Sequence, residues 1–93
     1  MKTEGDPIRI KIAWQDPAMV QIGKSGVSEN LVKETIRLLK KHNYIKVRML
    51  RSALGSAAKV DLVTELCEKT GAFLAGIRGN TAVIYRVRAS QRT

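Results

Sequence analysis

The sequence has very little cysteine and no long apolar run. Cys67 is the single cysteine, so no internal disulfide can form, which fits a reducing compartment such as the cytoplasm. No apolar stretch approaches the roughly 18–20 residues that cross a membrane, and residues 1–7 contain no hydrophobic signal core. These absences predict that the protein is cytoplasmic and does not bind a membrane.

The chain is also too short, and too poor in histidine, to suggest an enzyme. Its 93 residues predict a single domain, 1–93, with an ordered core at about 7–87, and a domain of this size leaves no room for a deep catalytic cleft. The one histidine, His42, is predicted at a helix end, and no His/Cys cluster has metal-ligand spacing. We therefore expect no catalysis, no cofactor, no metal and no small-molecule substrate.

Acidic residues are the third shortage. The chain has 17 lysines and arginines against 8 aspartates and glutamates, for a net charge of +9. Residues 31–60 carry a net charge of +7, because they contain eight basic residues and one acidic residue, Glu34. Residues 1–30 have a net charge of zero, and residues 61–93 have a net charge of +2. Solubilising surfaces normally mix their signs. The concentrated charge therefore predicts a polyanion as partner, with nucleic acid favoured over acidic membrane.

Aromatic residues make up only 4% of the chain, as Trp14, Tyr44, Phe73 and Tyr85. Proteins that stack several bases side by side use clusters of such residues. The sequence therefore predicts no multi-aromatic platform and favours recognition of a nucleic-acid backbone and its shape.

The first half of the chain predicts alternating strands and helices. Residues 18–22 form an apolar run typical of a strand, and Ser28 is a good cap for a helix that runs to about residue 42. Residues 44–51 alternate apolar and basic side chains, which predicts a half-buried strand with a basic outer face. The opening segment is ambiguous, because Asp6-Pro7 starts helices whereas isoleucines at alternate positions are typical of a strand.

The second half predicts a helix followed by a hairpin. Residues 52–58 are small and loop-like, an apolar stripe from Leu62 to Thr70 indicates a helix, and Gly71 stands where a capping glycine is expected. Two apolar runs, at 72–77 and 81–87, join at a tight turn over 78–80; the tail at 88–93 is polar. The order predicts a two-layer α/β (α+β) fold, with a four-stranded mixed sheet, two to three helices and a right-handed parallel crossover after the first strand.

The turn Gly23-Lys24-Ser25-Gly26 is the strongest candidate for a ligand contact. It lies between a predicted strand and a helix N-terminus, whose free N–H groups attract phosphate. Its glycines allow close approach of a ligand, and Lys24 adds a full charge. A purely geometric turn would also need the glycines, but the basic segment that follows favours phosphate contact.

Two known phosphate-binding loops are similar to this turn. A nucleotide-binding P-loop needs a glycine at position 18, where this chain has Ala18, so ATP or GTP hydrolysis is not expected. A KH-type clamp uses a similar turn on nucleotide backbone but joins two helices, whereas residues 19–22 look like a strand. The mechanism could be shared without the fold. With the basic side chains of the middle segment and the hairpin turn, the candidate contact residues are Gly23, Lys24, Ser25, Gly26, Lys33, Arg37, Lys46, Arg48, Arg51, Arg78, Gly79 and Asn80.

The segment Val20–Ser28 resembles the signature loop of CRM domains, the chloroplast RNA splicing and ribosome maturation family. Three further segments match in order: residues 45–48 as the central strand, residues 70–72 at the end of the last helix, and residues 79–86 as the last strand. The resemblance covers residues 13–86 and is greatest to single-domain YhbY-like proteins of bacteria and archaea, especially the archaeal type.

The resemblance implies a fold like the C-terminal domain of translation initiation factor three and a role in large ribosomal subunit maturation or intron splicing. The family's Gly-x-x-Gly loop falls on residues 23–26. Family members usually open with a longer helix; here the lead-in is short, and we predict a short helix near residues 7–15. The alternative function is that of a small basic chromatin protein that binds duplex DNA.

Overall fold

The computed structural model describes residues 6–54 and 58–86. The sheet order is β1-β2-β4-β3, in which β1 and β2 are parallel and the other pairs antiparallel. The predicted α/β class with a four-stranded mixed sheet is confirmed. The elements along the chain are α1 (Pro7–Gln15), β1 (Val20–Ile22), α2 (Glu29–His42), β2 (Tyr44–Met49), α3 (Arg51–Leu54), α4 (Lys59–Thr70), β3 (Phe73–Arg78) and β4 (Thr81–Tyr85).

The main core lies between one face of the sheet and helices α2 and α4. Ile45, Val47 and Met49 alternate with polar residues along β2, as predicted, and all three are buried. Neighbouring strands and both helices complete this core with Ile22, Ile84, Leu39, Val63 and Leu66. The β2 side chains between these residues therefore point to the other face of the sheet.

Helix α1 covers part of that other face. Val83 lies between Ala82 and Ile84 on β4, and it is fully buried although it faces away from the main core. Ala13 of α1 is buried too, and the Trp14 carbonyl accepts a hydrogen bond from Lys46 Nζ at 2.9 Å. The sheet thus has helices on both of its faces. The described residues form four helices, where two to three were predicted, because residues 51–54 add the turn of α3.

The ambiguity of the opening segment is resolved in favour of the predicted helix at residues 7–15. The Asp6 side chain accepts a hydrogen bond from Ile8 N at 2.9 Å, and Pro7 occupies the first helical position. Ile8 and Ile12 remain exposed, so their alternation with polar residues does not mark a buried strand face. The predicted caps Ser28 and Gly71 are also confirmed.

Two boundary predictions in the middle of the chain are wrong. β2 ends at Met49, so Arg51 is not a strand residue, and residues 51–54 form the single turn of α3 rather than the start of a loop. Ala53 supplies the reason, because this turn buries its side chain in the main core. Residues 55–57 of the predicted loop, the strand end at Val87 and the tail at 88–93 lie outside the described residues.

In the described part of the chain, no helix has the length and apolar character needed to cross a membrane.

Candidate nucleic-acid interface

Three of the predicted contact segments meet at one end of the sheet, which we call the loop end: residues 23–26, 48–51 and 78–80. β1 and β2 are parallel, so both finish there, and Leu50 N donates to the Ile22 carbonyl at 2.9 Å. The antiparallel β4 begins at the same end, where Met49 N donates to the Asn80 carbonyl at 2.7 Å. Segments about 25 to 55 residues apart along the chain are therefore neighbours in space.

The turn at residues 23–26 is closed by its own backbone. Gly26 N donates to the Gly23 carbonyl at 2.9 Å, and Ser28 N donates to the Gly26 carbonyl at 3.1 Å. Ser28 Oγ then accepts from Leu31 N at 3.2 Å and starts α2. Lys24 and Ser25 are exposed at the tip, so the turn presents a charge and a hydroxyl beside a helix N-terminus.

The two glycines of this turn are not equivalent. Gly26 has a φ of 68°, a left-handed conformation that other residues adopt at a cost. Gly23 does not have a positive φ, and a Cβ added there would lie 3.7 Å from Leu50 Cδ1, an ordinary contact. The fold of the turn therefore requires glycine at position 26 but not at position 23.

A row of polar side chains crosses the α1 side of the sheet at the loop end. The strand register aligns Gln21, Arg48, Thr81 and Arg78 on β1, β2, β4 and β3, and we call these four residues the cross-strand row. Gln21, Arg48 and Arg78 are exposed, and Thr81 is half-buried. The row places Arg48 on the strand next to β1, which leads into the turn at residues 23–26, and Arg78 on β3 at the other edge of the sheet.

The remaining predicted residues at the loop end flank this row. Arg51 is exposed in α3 and reaches the loop end through that helix turn, not through the predicted strand. The hairpin turn consists of Gly79 and Asn80, because Arg78 still pairs with Thr81. Gly79 has a φ of 58°, and Thr81 Oγ1 donates to the Arg78 carbonyl at 2.8 Å. Asn80 is exposed.

Three predicted contact residues lie elsewhere or have other partners. Lys46 is half-buried and donates to the Trp14 carbonyl, at the C-terminal end of α1 where a cation stabilises the helix. Arg37 pairs with Glu34 through Nη2 and Oε2 at 2.6 Å. Lys33 is exposed in the second turn of α2. The structure does not bring these side chains into the cross-strand row.

The charges at the loop end are not neutralised within the described part of the chain. Its salt bridges are Arg37–Glu34 and Lys69–Glu65, both on helices. None of Lys24, Arg48, Arg51 and Arg78 has a carboxylate within salt-bridge distance among residues 6–54 and 58–86. These four cations are available to an anionic ligand.

Trp14 makes a contact that the sequence does not predict. The Arg78 guanidinium lies over the indole ring, with Cζ 4.5 Å from the ring centroid. The two residues are far apart along the chain, and only the packing of α1 on β2 and β4 of the sheet brings them together. No local pattern in either segment predicts this pair.

The fold also assembles the other aromatic residues, which the sequence did not predict. Tyr85 stacks on Tyr44 with ring centroids 5.5 Å apart and lies 5.6 Å from Phe73 across the sheet. Tyr85 is buried, and Arg9 lies over the Tyr44 ring at 4.8 Å. Among Tyr44, Tyr85 and Phe73, only Phe73 is largely exposed, with 47% of its surface accessible to solvent.

No group of three or more histidine, cysteine or acidic side chains within residues 6–54 and 58–86 is placed to hold a metal ion. Cys67 is buried, and burial raises the pKa of its thiol to about 11, with a smaller contribution from the charge of Glu68. The thiol belongs to the core between α4 and the sheet.

Comparisons with known proteins agree with this fold. The family model of the CRS1 / YhbY (CRM) domain matches residues 9–86. A similar solved structure is the solution structure of the hypothetical protein SAV1595 from Staphylococcus aureus, described as a candidate RNA-binding protein. The two share 31% sequence identity with a TM-score of 0.71, over 87% of this chain and 82% of that one. No curated protein matches the chain significantly.

Proposed function

The chain belongs to the CRS1/YhbY (CRM) domain family, and from this premise we propose that it is an RNA-binding protein that contacts phosphates with the loop end of its sheet. The proposed contacts are the turn at residues 23–26, the arginines of the cross-strand row, Arg51, and the hairpin turn at residues 79–80. The proposed role is binding without catalysis.

The observation that carries this proposal is the convergence of the three segments at the loop end. A turn beside a helix N-terminus offers backbone N–H groups to a phosphate, and Arg48 and Arg78 lie on the two strands that flank β4. Adjacent strands lie about 4.8 Å apart, so the two arginines extend the positive surface about 10 Å across the sheet. A row of this kind is suited to a run of phosphates more than to a single anion.

The similar Staphylococcus aureus protein is described as a candidate RNA-binding protein, which favours RNA over other polyanions. Within that class we propose ribosomal RNA of the assembling large subunit, because the family resemblance implies large-subunit maturation. We further propose a cytoplasmic location, which the lone cysteine favours. Crosslinking in cells followed by sequencing of the bound RNA would test the choice of RNA.

Lys24→Ala tests the turn. We expect the RNA affinity to fall about fivefold, the effect of one exposed ion pair worth roughly 1 kcal/mol, with unchanged stability because Lys24 is exposed at the tip. Lys41→Ala removes the same charge near the C-terminus of α2, at the opposite end of the fold, and should bind RNA like the native chain. Equal affinities for the native chain and Lys24→Ala would exclude the turn from the contact surface.

Duplex DNA is the second candidate ligand, because a basic surface attracts any nucleic acid. Affinities for a structured RNA and a DNA duplex of equal length, measured at two salt concentrations, distinguish the two. We expect tighter RNA binding at both. Tighter binding of the DNA duplex at both would favour the chromatin-type alternative instead. ATP and GTP are expected not to bind, since position 18 is alanine.

A further inference from the structure

A groove between α1 and β3 opens beside the cross-strand row. It has a volume of about 360 Å³, within the range of roughly 300–1,000 Å³ typical of small-ligand clefts. One face of α1 forms most of its wall. Its lining residues are Pro7, Ile10, Lys11, Trp14, Gln15 and Arg78.

The Arg78–Trp14 pair gives this groove a planar, cationic wall. Trp14 is half-buried and lies against β3, where a Cβ added to Gly76 would be 3.8 Å from its Cζ2 atom. Arg78 is exposed and lies over the ring. Flat guanidinium and indole groups are the surfaces on which unpaired bases stack in RNA-binding proteins.

The groove is continuous with the surface to which phosphate binding is assigned above. Arg78 is both a wall of the groove and the last member of the cross-strand row, which leads through Thr81 to Arg48. An RNA strand on the row would thus have its sugars and bases near the groove. Lys11 and Gln15 supply hydrogen-bond donors, and Gln15 an acceptor, for the edge of a base.

We propose that this groove accepts one unpaired nucleobase, stacked on the Arg78–Trp14 pair, of the RNA whose phosphates lie along the cross-strand row. The inference rests on the proposed RNA binding. It adds a preference for RNA with unpaired nucleotides over fully paired RNA, which phosphate contacts alone do not provide.

Trp14 is the only tryptophan in the chain, so its fluorescence reports on the groove directly. We expect a stem–loop RNA with an unpaired loop to quench this fluorescence, and a perfectly paired RNA of equal length to bind without quenching it. Adenosine monophosphate should not quench at the same concentrations, because it lacks the neighbouring phosphates. Equal quenching by the free nucleotide would assign the groove to a mononucleotide and overturn the proposal.

Arg78→Lys keeps the charge and removes the flat guanidinium. Its affinity for the stem–loop RNA should fall about fivefold or more, as expected for one lost base stack. Its affinity for the paired RNA should fall less, because there only the phosphate contact of Arg78 is altered and the lysine keeps its charge. Arg9→Lys is the matched control, since Arg9 also lies over an aromatic ring but at the other end of α1. It should bind both RNAs like the native chain.

A second measurement leaves the protein intact. Abasic nucleotides introduced one at a time into the RNA loop should weaken binding at one position and abolish quenching there. Binding of the stem–loop RNA without quenching, together with native affinity in Arg78→Lys, would overturn the base-stacking site and leave the proposed RNA binding in place. If the native chain binds neither RNA, the proposed function itself is wrong.

Discussion

At the scale of the residue, the two glycines of the turn at residues 23–26 differ in whether the fold requires them. Gly26 has a φ of 68°, so its conformation demands glycine even in the free protein. Gly23 does not have a positive φ, and a Cβ added there would make only an ordinary contact with Leu50. The fold therefore does not require glycine at position 23, and the proposed approach of a phosphate to the backbone would account for it.

The two alanine variants of these glycines are expected to differ. Gly26→Ala should lower the free energy of unfolding by about 1–2 kcal/mol, because the left-handed conformation is strained for alanine. Gly23→Ala should change that free energy by less than about 0.5 kcal/mol, yet weaken RNA binding, because its methyl group stands where a phosphate would approach. Urea denaturation and RNA titration measure the two effects. Native RNA affinity in Gly23→Ala would show that the phosphate lies elsewhere.

Cys67 provides a residue-scale test of the core. Its thiol has a pKa raised to about 11 by burial, so the reactive thiolate is scarce in the native state. A thiol reagent at neutral pH should therefore modify the native chain slowly and the urea-unfolded chain quickly. Equal rates in both states would mean that α4 does not shield this side chain.

The same pKa shift predicts a pH dependence of stability. The unfolded thiol titrates near 9.0 and the folded thiol near 11, so the native state holds more protons between these values. The contribution of the neutral thiol is fully present below pH 9 and is lost as the pH rises to 11. Between these pH values, the free energy of unfolding should fall less in Cys67→Ala than in the native chain.

At the scale of the element, α1 links the two halves of the candidate interface. In its last turn, the Trp14 carbonyl accepts a hydrogen bond from Lys46 Nζ, and the Trp14 indole lies beneath the Arg78 guanidinium. Lys46 was predicted as an RNA contact, and its partner in the structure indicates that it anchors α1 on the sheet. The alternation along β2 is the same for both roles, so the pattern alone did not distinguish them.

Lys46→Met tests this anchoring role. Loss of the charged hydrogen bond at the end of α1 should lower the free energy of unfolding by about 1 kcal/mol, and the salt dependence of RNA binding should remain that of the native chain. Lys33→Met, at an exposed site on α2, is the control and should stay within about 0.5 kcal/mol of the native chain. Equal unfolding midpoints for the two variants would contradict the anchoring role.

At the scale of the whole molecule, four of the cations that lack a carboxylate partner share the loop end. Lys24, Arg48, Arg51 and Arg78 have no carboxylate partner in the described part of the chain, whereas the two ion pairs there lie along helices α2 and α4. A net charge of +9 attracts RNA from a distance, but these four residues are expected to make the close phosphate contacts.

This arrangement predicts the salt dependence of binding. If the four cations each contact one phosphate of single-stranded RNA, the logarithm of the association constant should fall with the logarithm of salt concentration with a slope of about −3. Lys24→Ala should reduce that slope by about 1. A native slope near zero would mean that binding does not depend on phosphate contacts.

The sequence by itself determined the class of the fold and its described elements except α3. Hydrophobic periodicity gave α2, α4 and the strands, and the cap residues Asp6, Ser28 and Gly71 gave helix ends that the structure confirms. These signals are local, because a backbone N–H at a helix end is satisfied within a few residues of itself. The Gly-x-x-Gly turn could be identified for the same reason, since its glycines and its neighbours are contiguous in the chain.

Only the tertiary structure decided which basic residues share a surface. The strand order β1-β2-β4-β3 places Arg48 and Arg78 in one row. The packing of α1 brings the Trp14 carbonyl within hydrogen-bond distance of Lys46 and the Trp14 indole beneath the Arg78 guanidinium. Register and helix docking depend on side-chain packing between segments distant in the chain. A local pattern reports which residues are exposed on one element, but it carries no information on which element lies beside it.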